Sequence, residues 1–422
     1  MAEGPFAGIR VLEFGQYVSV PYAAELLAHG GADVIKVEPI TGDITRSTQR
    51  LIEGEGRQYV VKARGKRGIP VDLGTPEGQA LAHRMAVQCD VVVSNMRPGA
   101  VDRMGLGYEQ LAAENPALIY GEITGFGTTG PDAGRASLDV VAQAASGLML
   151  SQRAMDGDRP VIGEAFLTDY MSGVLLAFGI TAALRERDRT GRGQKVSTTL
   201  MQAGLALQQA TANVFDVVDA WKPEFADWLE SDHPTLTESL ARRAENVPGY
   251  AFFYNSYATG DGAVVVGAVG NMRGNLLRLL GLAENDEGAR PMSPRAASED
   301  LLRRVREAIR TWSTTDLIAA LDAARIPCGR VHFVEDVMID PASLQAGFVY
   351  EADHPALGRA VLPTAPVLFS ESRYEAASTS PAYGEHSQAV LRDLGWSDDE
   401  IEGLTRRRVV GLPKGESPAA PT

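Results

Sequence analysis

Along the first half of the chain, short apolar runs alternate with stretches whose apolar residues recur at helical spacing. Ile9–Phe14 (IRVLEF) reads as a strand, and Tyr22–Leu27 as helix-forming sequence that closes at the glycine pair Gly30-Gly31. Val34–Val37 reads as the next strand, Pro76–Val87 as a helix, and Val91–Val93 and Leu118–Ile123 as further strands. Strands separated by helices predict βαβ units and a mainly parallel sheet with helices on both faces. Ligands of such sheets sit at the carboxyl ends of the strands. A long apolar helix is expected from Asp169 to Arg187, ending at the turn Thr190-Gly191-Arg192-Gly193, with Val196–Leu200 as another strand.

The pattern changes in the middle of the chain. From about Asp216 to Glu245 the sequence is acidic, Trp-containing and poorly periodic, which reads as a linker or arm. A smaller α+β unit follows. Ala251–Tyr257 and Ala263–Val269 predict two strands joined at Gly260-Asp261-Gly262, a hairpin signal. Glu299–Thr311 and Thr315–Ala324 predict helices, and the aromatics Tyr250, Phe252, Phe253, Tyr254 and Tyr257 read as core rather than as an acyl pocket. Leu412–Thr422 is rich in Pro, Gly and Ala and is expected to be disordered. The domain reading is therefore a large α/β domain over 1–215, completed by 380–411, then a linker at 216–245, a small domain at 246–345, a return linker at 346–379 and a tail at 412–422.

Composition narrows the class. The chain has 422 residues, 45% hydrophobic and 22% charged, ordinary values for a globular protein of two domains. Two cysteines, Cys89 and Cys328, exclude a disulfide framework, and a reducing cytoplasm is the expected setting. The six histidines show no metal-ligand spacing. No basic segment with a cleavage site opens the chain, and no apolar stretch reaches bilayer length; the longest, around Gly173–Leu184, suits a buried helix. A formal net charge of −14 argues against nucleic-acid binding. An anionic ligand would need a local basic cluster, and Lys62, Arg64, Lys66 and Arg67 form one. The first strand and turn, Phe14-Gly15-Gln16-Tyr17-Val18, lack the G-x-G-x-x-G of a nicotinamide dehydrogenase.

Several blocks, in order, resemble the family III coenzyme A transferases, the group that includes formyl-CoA and carnitine CoA transferases and the α-methylacyl-CoA racemases. They are Gly8-Ile-Arg-Val-Leu-Glu-Phe14, Gly31-Ala-Asp-Val-Ile-Lys-Val-Glu38, Gly42-Asp-Ile-Thr-Arg46, Gly65-Lys-Arg67, Asn95-Met-Arg-Pro-Gly99, Met104-Gly-Leu-Gly-Tyr108 and Gly125-Phe-Gly-Thr-Thr-Gly-Pro131. Thr190-Gly-Arg-Gly-Gln194, Ile326-Pro-Cys-Gly329 and Gly384-Glu-His386 complete the series. The region from about 205 to 260 is matched least. The resemblance implies a Rossmann-like domain with a smaller α+β domain in an interlocked homodimer. It implies acyl-CoA and a carboxylic acid as substrates, and no permanently bound cofactor.

The resemblance also implies site residues. Asp169, in Gly163-Glu-Ala-Phe-Leu-Thr-Asp-Tyr170, matches the family's aspartate nucleophile. By itself the position reads as a helix N-cap, and the helix dipole is expected to keep its carboxylate ionised. Asp139 matches an acidic residue near the nucleophile; its plain alternative is a surface aspartate opening a helix. Lys66, Arg67, Arg103, Asn95 and Met96 match positions for CoA. Val18 stands where formyl-CoA transferases carry a glutamine and cannot donate that hydrogen bond, with Gln16 two residues earlier. Leu138 stands where the racemases carry their histidine. Glu38 closes a strand at a position that binds ribose in other nucleotide folds. The glycines Gly267, Gly270 and Gly274 are scattered, with no tetraglycine run. Cys328 and His386 read as structural residues. The leading reading is CoA transfer between acids, ahead of a 2-methylacyl-CoA racemase and a non-catalytic acyl-CoA binding protein.

Overall fold

The computed structural model describes residues 3–413 apart from 247–252, 287–288, 290–294 and 378. Two compact units divide the chain, Met1–Val214 with Ala342–Thr422, and Phe215–Pro341. In the first unit six strands form one sheet: β1 (Arg10–Phe14), β2 (Asp33–Pro39), β3 (Arg67–Val71), β4 (Val91–Ser94), β5 (Ile119–Thr124) and β6 (Lys195–Thr199). All pairings are parallel, in the order β3-β2-β1-β4-β5-β6. That is the doubly wound order, whose direction reverses between β1 and β4 and leaves a crevice at their carboxyl ends.

The near-continuous apolar runs of these strands follow from burial on both faces. Leu12, Phe14, Ile35, Ile69 and Val92 pack on one side with α3 (Pro76–Ala86). Val11, Val34, Val91, Val93 and Ile119 pack on the other with α1 (Ser19–His29) and the long helix α5 (Leu167–Thr190). Between them in sequence lie α2 (Arg57–Lys62) and α4 (Asp139–Ala145). Each fully buried Leu, Ile or Val contributes about 1.5–3 kcal/mol.

α5 starts two residues before Asp169 and runs longer than the apolar stretch suggested. By length and apolarity its 24 residues would suffice to cross a membrane, which corrects the reading of Gly173–Leu184 as too short. Here it serves as a core helix: Leu176, Ala177, Ile180, Ala183 and Leu184 are buried against the sheet. Its end is a left-handed glycine cap, Gly191 at φ 72°, whose N–H bonds the Arg187 carbonyl at 2.7 Å. Gly173 allows α5 to lie directly on α1, since a Cβ there would sit 2.7 Å from the Ser19 carbonyl oxygen.

The second unit holds the expected hairpin, β7 (Tyr254–Ala258) against β8 (Ala263–Gly267), with β9 (Cys328–Arg330) added at the edge of β8. The Asp261 carboxylate in the turn accepts hydrogen bonds from the N–H and hydroxyl of Thr314, both 2.7 Å, at the start of helix Thr314–Ala323. Phe253 and Tyr257 are buried core, Tyr254 is exposed, and Tyr250 and Phe252 lie outside the described residues. The segment expected as a linker at 216–245 carries two helices, Trp221–Asp232 and Leu236–Asn246, with no buried residue in either. The expected return linker at 346–379 belongs to the first unit and carries the hairpin Val349–His354/Gly358–Pro363. Short segments without long-range periodicity hide such elements from a pattern reading. Of the expected disordered tail, 414–422 lies outside the described residues.

Substituting Gly173→Ala should push α5 off α1 and lower stability by about 1–3 kcal/mol, read as a lower denaturant midpoint. Gly163→Ala, with no heavy atom nearer than 3.8 Å to the added carbon, serves as the control and should change it little.

Candidate active site

The first turn of a helix presents N–H groups without intrahelical partners. Phe166, which precedes α5, supplies no capping side chain. Asp139 does so from the neighbouring helix: one carboxylate oxygen, Oδ1, accepts from Thr168 N at 2.8 Å, Thr168 Oγ1 at 2.7 Å and Asp169 N at 3.2 Å. Its other oxygen accepts from Gln143 Nε2 at 2.5 Å. Asp139 opens α4, as expected of an aspartate before a helical run, but it is buried rather than on the surface.

Asp169 is the third residue of α5 and is mostly buried. Burial, reinforced by the Asp139 charge, pushes its carboxyl up to about 7, while the Lys62 ammonium and the Ser19 hydroxyl pull it back. The expectation that the helix dipole holds this carboxylate ionised is thereby corrected, because Asp139 already occupies the N-terminal donors that would do so. A carboxyl that titrates near neutrality is nonetheless suited to exchange between a nucleophilic anion and a neutral acyl carrier.

The loop after β1 is tied to the residue that follows β4. Asn95 accepts from Gln16 N at 3.0 Å and donates through Nδ2 to the Gln16 carbonyl at 2.8 Å and to Ser19 Oγ at 3.2 Å. One side chain on the β4 side of the switch point thus fixes the β1 loop and the serine that faces Asp169. Tyr17, at the tip, is left-handed at φ 61° and exposed. Val18 is buried, and its carbonyl bonds Tyr22 N in the first turn of α1. Met96 and Arg97 line a cavity of about 60 Å³ with Tyr108, Tyr120 and Glu122. The Tyr120 hydroxyl in that wall has no hydrogen-bond partner among the described residues. Arg103 is exposed at the end of the turn Ala100–Arg103 and pairs with no carboxylate among the described residues.

The basic cluster expected to hold an anion is mostly occupied by the protein's own acids. Lys66 is fully buried, its ammonium bonded to Glu13 at 2.7 Å and to the Pro21 carbonyl at 2.8 Å. It therefore has no free face for a phosphate. Arg64 bonds Glu25 at 2.7 Å, and Arg67 bridges Asp33 and Asp393 at 2.6 Å each. Glu38 also turns inward, onto Arg46 at 2.8 Å and the Asp43 N–H at 2.8 Å, rather than towards a ribose. The partners come from strands and loops remote in sequence, so the run of charges carried no sign of them. Cys328 and His386 belong to different units, and Leu138, at the racemase histidine position, is exposed at the start of α4.

A doubly wound sheet with a mostly buried aspartate at the head of a core helix beside the switch point defines a protein of the Rossmann-like class with a candidate site at that point. The profile of CoA-transferase family III matches residues 6–387, and the chain belongs to that family. It is 30% identical over 420 residues to formyl-CoA:oxalate CoA-transferases of Escherichia coli and Shigella sonnei, covering 96% of this chain and 99% of theirs. A CaiB/BaiF family protein from Brucella suis superposes with a TM-score of 0.73 at 30% identity, over 93% of this chain and 100% of that one. A hypothetical protein from Mycobacterium tuberculosis superposes with a TM-score of 0.74 at 25% identity, over 92% and 100%. The chain is an enzyme, a CoA-transferase, and its substrates are CoA thioesters.

Two stability experiments test the site's electrostatics. Folded Asp169 titrates near 7 against an ordinary 3.8. Between those values the folded state holds a proton that the unfolded state lacks, so this residue's contribution to stability falls as pH rises through the window. Asp169→Asn should therefore be more stable than wild type by about 1–3 kcal/mol at about pH 8, after allowance for partial exposure, with the difference vanishing near pH 4. Asp139→Ala, which uncaps α5, should cost about 1–2 kcal/mol in chemical denaturation, with Asp139→Asn costing less.

Proposed function

We propose that this CoA-transferase moves CoA from an acyl-CoA donor to a free carboxylic acid through covalent intermediates on Asp169. The observation that carries the reading is a mostly buried aspartate, titrating near 7, held at the head of α5 beside Ser19 and the Asn95-braced loop. Its carboxylate attacks the donor thioester carbonyl; the C–O bond forms, the C–S bond breaks, and CoA thiolate leaves an acyl-aspartyl anhydride. The thiolate attacks the aspartyl carbonyl, releasing the donor acid and giving an aspartyl-CoA thioester. The acceptor carboxylate attacks that thioester, the thiolate leaves, and its return to the acceptor acyl carbon regenerates Asp169. Each step exchanges one anion for another, so no proton need be stored. Splitting the exchange into four activated acyl transfers is the gain of nucleophilic catalysis.

Asp139 acts here as a positioning residue: it aims the Asp169 backbone and raises its pKa. Asn95, Met96 and Arg103 receive the CoA moiety, and Arg67, which opens β3 at the amino end of the sheet and is paired with Asp33 and Asp393, takes no part in it. Val18 offers no side-chain hydrogen bond in the first loop, so formate or oxalate is not assigned as substrate. The racemase alternative needs a second acid–base group, and Leu138 supplies none at the family position. The apolar faces of α5 around Val174 and Phe178, the latter 73% exposed, are consistent with coverage in an interlocked homodimer.

Incubation with a panel of acyl-CoA thioesters and hydroxylamine should convert Asp169 to its hydroxamate, read by peptide mass spectrometry and absent in Asp169→Ala. The rate of formation should fall as pH drops below about 7, because only the carboxylate attacks. Solvent deuterium appearing at the substrate α-carbon, with no hydroxamate, would replace this reading by the racemase one.

A further inference from the structure

Buried cations surround the loop after β1, and nearly all are neutralised in pairs. Lys36 bonds Glu13 at 3.1 Å and Asp43 at 2.8 Å, Lys66 bonds Glu13, Arg46 bonds Glu38, and Arg64 bonds Glu25. Lys62 is the exception. It is the last residue of α2 and only 5% exposed, yet its ammonium makes no hydrogen bond or ion pair among the described residues. It hangs 5.2 Å from the centre of the Tyr170 ring, the residue that follows Asp169. It also lines a cavity of about 10 Å³ with Tyr17, Gln58 and Tyr59, room for one water or one ligand oxygen. The charges it senses are Glu25, Asp169 and Arg64, and Glu25 is already bonded to Arg64.

A largely buried ammonium without a bonded partner is costly, and a ligand anion placed beside it offsets that cost. We propose that Lys62 anchors the incoming carboxylate of the acceptor acid beside Asp169. The inference rests on the covalent reading above. In the third of its steps, the acceptor must bring an anion to the aspartyl-CoA thioester inside a site already rich in carboxylates. Lys62 bonds one carboxylate oxygen while the other attacks the aspartyl carbonyl; the C–O bond forms as the C–S bond breaks. The ammonium keeps its proton throughout. It also offsets the charge of Asp169 when that carboxylate is regenerated. Neutral nucleophiles have no use for it, which gives the proposal a test.

The aspartyl intermediate is formed on the full chain with whichever thioester of the panel acetyl-CoA, formyl-CoA, oxalyl-CoA and succinyl-CoA yields it. It is then discharged in parallel with hydroxylamine, a neutral nucleophile, and with acetate, formate, oxalate and succinate. In Lys62→Met the ratio of carboxylate to hydroxylamine discharge should fall at least about tenfold, chiefly as a higher half-saturating carboxylate concentration. Lys62→Arg should restore part of the ratio. Hydroxylamine discharge in each variant reports whether the protein is folded and the intermediate intact. An unchanged ratio in Lys62→Met, with the hydroxamate still formed at Asp169, overturns the role of Lys62 and leaves the covalent reading standing. Absence of any adduct in wild type overturns the covalent reading itself, and this inference with it.

Discussion

The N-terminal half of the molecule is organised around a carboxylate that cannot be exposed. Glu13, the fourth residue of β1, is wholly buried and bonds Lys36 from β2 and Lys66 from the approach to β3. Its register partner across the parallel pair is Lys36 itself, so a slip of β1 against β2 would separate them. Removing one partner of such a pair strands charge in a low-dielectric interior, at about 3–5 kcal/mol. Around it Asp43, Glu38, Arg46 and Tyr59 extend the bonding to the segment after β2. The network is a weak source of net stability. Its effect is to allow few arrangements of three strand ends, and the loop from Gly15 to Val18 starts from one of them.

From that anchored loop the geometry passes to Asp169 through short-range contacts. Asn95 ties the loop to β4 and reaches Ser19, the first residue of α1. α1 lies on α5 through the glycine at 173, and α5 carries Asp169 in its first turn. On the far side Asp139 caps the same turn from α4. The aspartate is therefore held by a helix crossing and a serine, both supplied by α1, and by a cap from α4. The same arrangement explains its titration near neutrality. Burial and a neighbouring carboxylate raise it, and the Lys62 ammonium and the Ser19 hydroxyl lower it.

The inward pairing of Lys66, Arg64 and Arg67 also alters how the charge run at 62–67 is understood. In a chain with net charge −14, four cations within six residues suggest an anion cradle. Three of them instead neutralise the protein's own acids, and the fourth, unbonded among the described residues, senses the charge of Asp169. Sorting the run into structural and functional members depends on which acids reach which cations.

The alternation of apolar runs and helical spacing was enough for five of the six strands of the parallel sheet, for α1, α3 and α5 and for the hairpin of the second unit, whereas β3, with a glycine and a proline in Arg67-Gly-Ile-Pro-Val71, was not read. Those features depend on local periodicity and turn chemistry, and they are written in consecutive residues. The ordered blocks from Gly8 to His386 were likewise enough for the family, because block spacing survives in one dimension. The helices at 221–246 and the hairpin at 349–363 were not legible, since their exposed faces leave little apolar pattern. Tertiary structure alone decided that Asp139 caps α5, that Lys66 serves Glu13, and that Asp169 titrates near 7. Hydrogen bonding, desolvation and Coulomb coupling act over a few ångströms between residues that lie tens of positions apart. Only the fold brings those residues within reach of one another.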